Sequence, residues 1–172
     1  MTFDDLVRRQ IASGFAGLSG SAANATIRVS AAALNEAIAA ALPPDGRVRT
    51  VTVNPLTGNA LDVTVVLKPA LLPALHPRLI IERQATLPGD PVLVLRVTGA
   101  AGSLMPLARL FGVAAHLPPG VRLEADRLFV NLHEALDARG QAGWLDYVTE
   151  LHVGTDESAL VVRFAVHVRA PK

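Results

Sequence analysis

The segment "ALVVRFAVHV", Ala159 to Val168, alternates so strictly that it permits little other than a strand. Leu160, Val162, Phe164, Val166 and Val168 share one face, and Val161, Arg163, Ala165, His167 and Arg169 share the other. A period of two is the signature of a strand that buries one side. The same period recurs upstream. Val51 and Val53 alternate with Thr50 and Thr52, and after "NPLTGN" Leu61, Val63, Val65 and Leu67 point one way. In "RLIIERQATL" the apolar face holds Leu79, Ile81, Ala85 and Leu87, with Arg83 as an exception. "VLVLRV" follows the turn "PGDP", and "VRLEADRLFV" reads as a hairpin turning at Ala125–Asp126. Short turns between successive strands favour an antiparallel meander over a βαβ sheet.

Helices interrupt this series at defined signals. Ser30 is placed to cap "AAALNEAIAAAL", which "PPDG" ends. Asn131 with Glu134 is an N-x-x-E capping box opening "LHEALDARG", and "WLDYVTEL" is a second helical or mixed segment. Phe3, Val7, Ile11, Phe15 and Leu18 follow a helical stripe. The segment 103–117, with Ser103 as cap, spreads Leu104, Met105, Leu107, Leu110, Phe111, Val113 and Leu117 around nearly its whole circumference. A helix apolar on most sides is buried or rests against something apolar. The fold class expected is α+β: a curved antiparallel sheet wrapped around one or two apolar helices, in a single domain over residues 1–172. "ATIRVSAAALNEAI" and "ADRLFVNLHEAL" are both strands feeding capped helices, either a weak repeat or two ordinary junctions.

Composition narrows the function. The 16 basic and 15 acidic residues leave a net charge of +1, and aromatics are 4%, so neither phosphate neutralisation nor base stacking is supplied. There is no Cys, which removes disulfides, thiolate zinc sites and cysteine nucleophiles. His76, His116, His133, His152 and His167 never pair at a spacing of two to four, and "HEALD" lacks the second His of a metalloprotease helix. No G-x-S-x-G elbow, P-loop or G-x-G-x-x-G fingerprint occurs. No catalytic residue, metal site, cofactor or nucleic-acid partner is therefore expected, and the chain does not read as an enzyme. At the N-terminus Asp4 and Asp5 precede Arg8 and Arg9, the wrong charge order for a signal peptide, so a soluble cytoplasmic protein is the default expectation.

What the sequence has in surplus is apolar surface: 51% of the chain, including the loop "KPALLPALHPRL" with four Leu among three Pro. The surplus is a dry groove, an interface or a Leu-rich core. "IRVSAAALNEAIAAAL", with Leu34, Asn35 and Ile38, and "DRLFVNLHEAL" resemble segments of the bacterial tubular lipid-binding (TULIP) and SMP-like domains of the LmeA/YceB type. The resemblance is one of pattern over most of the chain. It implies a long helix in the concave face of a curved sheet and a groove holding acyl chains, with transient membrane contact. On that reading the lipid-binding residues are Leu104, Leu107, Leu110 and Phe111 on the helix side, and Leu61, Val63, Val65 and Leu67 on the sheet side. The alternative is an oligomerisation module, with the chain a homodimer or a subunit of a larger assembly.

Overall fold

The structure, a computed structural model, describes residues 20–44, 46, 48–68, 73–99 and 117–168. Among the described residues the strands are β1 (Ala22–Ser30), β2 (Val48–Leu56), β3 (Ala60–Leu67), β4 (Arg78–Arg83), β5 (Val92–Thr98), β6 (Val121–Glu124), β7 (Arg127–Asn131), β8 (Val148–Asp156) and β9 (Ala159–His167). Two α-helices, α1 (Ala31–Ala41) and α2 (Leu132–Asp137), and a 3₁₀ turn at Ala142–Asp146 complete the described elements. Every strand pairing is antiparallel. The expected meander is present as β2-β3-β4-β5, extended by β7 and then β6, in a sheet that curls into a half-barrel. The expectation of one sheet gives way to two, because β1, β9 and β8 form a separate sheet in the order β1-β9-β8. The apolar helix expected at 103–117 lies outside the described residues except for Leu117, as does the helical stripe of residues 3–18.

Alternation places the core. Val53, Leu61, Val63, Ile81, Leu93 and Leu95 from β2 to β5 form a buried cluster. Leu34 and Ile38 reach it from one face of α1, and Val153 and Leu160 from the smaller sheet. Spaced four apart, the two α1 side chains lie one above the other on that helix. The two sheets therefore share one apolar interior. The exception at Arg83 has a structural cause. Between Ile81, opposite Leu95, and Arg83, opposite Val94, the register slips by one residue. This bulge turns Arg83 out of the apolar face and toward Asp90, 3.1 Å away.

Both β–α junctions carry the caps that their sequences promise. Ser30 Oγ accepts from Ala33 N at 3.2 Å. Asn131 Oδ1 accepts from the backbone N–H groups of His133 and Glu134 at 3.0 and 3.2 Å. The return contact differs from a standard capping box: Glu134 accepts from the Asn131 side-chain amide at 2.9 Å. The Asn131 backbone N–H is already committed to Gly120 O at 2.7 Å. That close approach needs a glycine, since a Cβ on Gly120 would lie 2.6 Å from Asn131 O and its φ is +81°. The junctions share chemistry rather than position, because β1 is an edge of one sheet and β7 is interior to the other.

Side-chain amides seal the sheets where α1 and β4 meet strand edges. Asn35 donates Nδ2–H to Val53 O at 3.0 Å and accepts from Val53 N at 2.6 Å. Gln84 repeats the arrangement on the other sheet, donating to Val153 O and accepting from Val153 N, both at 2.8 Å. Each amide takes the place of one residue of a further strand. Replacing Asn35 by Leu is expected to keep the helix packed but leave two backbone groups of buried Val53 unpaired. The loss is expected to be about 1–3 kcal/mol per group, read from urea unfolding. An unchanged midpoint would mean that water replaces the amide.

Candidate functional site

A cavity of about 620 Å³ lies where the smaller sheet meets the turn that follows β4. Ala25 of β1, Phe164 of β9 and Leu151 of β8 are in-register neighbours across that sheet and line it together. Ala85, Thr86 and Leu87 supply the facing wall. Thr86 and Asp90 hold the turn in place by exchanging backbone hydrogen bonds at 2.7 and 2.6 Å. Gln84 fixes the wall to β8 through its paired bonds to Val153. Asn24, Thr26, Glu150, His152 and Arg163 also border it, at positions that alternate with the apolar set and so direct their side chains to the other face of the sheet. A concave site of this volume is the size of ordinary small-molecule pockets.

The expected sheet-side lining sits elsewhere. Leu61, Val63 and Leu67 are buried, and half-buried Val65 packs on the same core cluster that contains Leu61 and Val63. Val63 also borders a second cavity of about 450 Å³, whose other lining residues include Asp62, Thr64, His76 and Arg78. Leu104, Leu107, Leu110 and Phe111 lie outside the described residues. The structure thus brings Leu61, Val63, Val65 and Leu67 together on β3, and the large cavity is lined by other residues. Leu151 and its neighbours went unanticipated because "WLDYVTEL" reads as helical or mixed. It divides into the 3₁₀ turn and the first residues of β8. Phe164 carried a usable signal, as the one aromatic on the apolar face of "ALVVRFAVHV".

A smaller cavity of about 200 Å³ is lined by Ser21, Ala22, Ala23, Trp144, Tyr147, Val166 and Val168. Trp144 is the chain's single Trp and is 43% exposed.

Titratable groups are arranged as surface pairs. His76 Nδ1 is 3.2 Å from Thr64 Oγ1. Arg78 donates to both Asp62 oxygens at 2.6 and 3.2 Å. Arg127 donates to both Glu82 oxygens at 2.8 and 3.3 Å. Those hydrogen bonds hold the Asp62 and Glu82 carboxyls below their usual range. Among the described residues no group of three or more His, Cys, Asp or Glu is placed to hold a metal ion. No described helix is long and apolar enough to cross a membrane.

The Asp62–Arg78 pair has a pH signature. A carboxyl whose pKa is lower in the folded than in the unfolded chain stabilises the fold above the unfolded value. That contribution disappears as pH falls through the depressed folded value. The pair is solvent-exposed, so the effect is small. The parent chain and Asp62→Asn are expected to differ most in urea midpoint near neutrality and to converge on acidification. A gap that widens toward low pH would contradict the assignment.

No protein-family model, curated protein or solved structure matches this chain, so its function is argued from these cavities and faces.

Proposed function

We propose that the protein binds a lipid or another amphiphilic small molecule without catalysis. The observation that carries this reading is the 620 Å³ cavity with its apolar bed. Ala25, Ala85, Leu87, Leu151 and Phe164 offer an apolar bed to a hydrocarbon chain. Each methylene withdrawn from water there stabilises the complex by about 0.8 kcal/mol, with no directional chemistry needed. A polar head would reach solvent at the rim of this bed, beside the exposed Thr86. A chain of this kind would sit between the smaller sheet and the 85–87 turn. Leu61, Val63, Val65 and Leu67 would support that arrangement from the core behind. Transient contact with a membrane surface would then be the route of loading.

Two substitutions separate lining from core. Thr86 is exposed and lines the cavity, so Thr86→Trp fills space. It is expected to weaken binding of a fluorescent fatty acid about tenfold or more, equivalent to at least 1.4 kcal/mol, with the melting temperature little changed. Val63 is buried among Val53, Leu61 and Ile81, so Val63→Trp overpacks the core and is expected to cost about 1–3 kcal/mol of stability. Native mass spectrometry of the gently purified parent gives an independent readout. Fatty-acid binding by the parent that Thr86→Trp leaves untouched would move the site elsewhere. A parent that binds neither fatty acid nor co-purified lipid would end this reading.

A further inference from the structure

Among the described residues the two sheets have four strand edges, and three of them are blocked. On β2, the outward backbone groups of Val53 are taken by Asn35, and Pro55 presents only a carbonyl, which accepts from Ser158 N at 3.3 Å. On β8, Gln84 takes both groups of Val153, Thr155 N donates to Asn59 Oδ1 at 3.4 Å, and the register slips between Val148 and Glu150. The β6 edge is four residues long and carries Arg122 and Glu124. These are the usual means of stopping strand addition: covered backbone groups, bulges, proline, charge and brevity.

The fourth edge, β1, has none of them beyond a single charge, Arg28, which is paired with Asp156. It runs nine residues, "AANATIRVS", without Pro, Gly or Lys, and pairs with β9 in unbroken register. All but Val29 are exposed, and Ile27 is 50% exposed. Ala31 N donates to Ser158 O and Val168 N to Ser21 O, so the odd-numbered residues face β9. The backbone groups of Ala22, Asn24, Thr26, Arg28 and Ser30 therefore point outward. Among the described residues no strand lies beyond them.

We propose that β1 pairs antiparallel with β1 of a second copy of this chain, on a two-fold axis through Thr26. The strand's own sequence selects a second copy. The register that overlaps all nine residues sets Ala22 against Ser30, Asn24 against Arg28 and Thr26 against Thr26. Each of these is an outward-facing position; Asn24–Arg28 and Thr26–Thr26 can exchange both backbone bonds, and Ser30, whose carbonyl caps α1, offers its N–H to Ala22. On the other face Ile27 meets Ala25 and Val29 meets Ala23, each large side chain beside a small one. The single charge, Arg28, is held by Asp156 and meets a neutral Asn24, so no like charges oppose each other. Full overlap, backbone complementarity and charge compatibility thus coincide in one isologous register. The product is a continuous six-stranded sheet, β8-β9-β1-β1-β9-β8.

Sedimentation velocity of the full chain across a concentration series tests this. A reversible monomer–dimer equilibrium is expected. Thr26→Lys puts two ammonium groups opposite each other on the axis and is expected to raise the dimer dissociation constant at least tenfold. Thr52→Lys, exposed on β2, is expected to leave it unchanged. Because the chain has no Cys, a spin label at Thr26→Cys reads the geometry directly. Strands about 5 Å apart are expected to give strong dipolar broadening that dilution with unlabelled chain removes. A parent that sediments only as a monomer would overturn the proposal. So would a dimer indifferent to Thr26→Lys whose labels show no broadening.

Discussion

A strand edge buried without a hydrogen-bond partner is expensive, and this fold meets that constraint with side-chain amides. Asn35 and Gln84 each satisfy both backbone groups of one valine, Val53 and Val153. An amide carries a donor and an acceptor at the spacing of a peptide group, so it can stand in for one residue of a neighbouring strand. The consequence is architectural. Asn35 ties α1 to the larger sheet. Gln84 ties the end of β4 to the smaller sheet, and Asn59 adds a bond to Thr155. Gly154 allows that last approach, since a Cβ there would come within 3.1 Å of Asn59 Oδ1. Two sheets that share no ladder are held at a fixed relation by these side chains, and the large cavity is the space left beside Gln84.

The electrostatics contribute little to that relation. The five ion pairs among the described residues join exposed or partly exposed side chains, and such pairs are worth about 0–1 kcal/mol each. On the solvent face of the larger sheet Asp62–Arg78 braces the adjacent strands β3 and β4, and Glu82–Arg127 reaches from β4 across β5 to β7. What holds the strands is the shared interior of Val, Leu and Ile, reached from α1 and from both sheets. The low aromatic content suits this interior, because β-branched and Leu side chains pack across a narrow gap without a polar atom to satisfy.

Local pattern made much of the fold legible. Ser30 and Asn131 announced their helices because capping is a contact between near neighbours. The alternation in β3 placed Leu61, Val63 and Leu67 inward, where they are buried. The division into two sheets was not legible, because it depends on β1 pairing with β9 at the far end of the chain. No local signal records such a partner. The bulge after Ile81 showed itself only as Arg83 in the wrong phase, an anomaly whose cause needs the register of β5. "LNEAI" was recognisable as a string, but its physical content, two core residues flanking an edge-sealing amide, appears only once β2 is beside it.

The cavity was harder to read for a more general reason. A period of two says that a side chain faces inward, and inward positions include both packed core and cavity lining. Val63 and Phe164 carry the same signal, yet Val63 is packed among Val53, Leu61 and Ile81, while Phe164 borders open space. What separates them is the element facing each one. Opposite β3 lie other strands of the same curled sheet and α1. Facing Phe164 stands the short 85–87 wall, kept at its distance by Gln84. An empty volume is a property of two surfaces that fail to meet. It is fixed by the side chain that sets their separation, and here that side chain is polar, lies outside the apolar pattern and sits 69 positions from its partner in the chain.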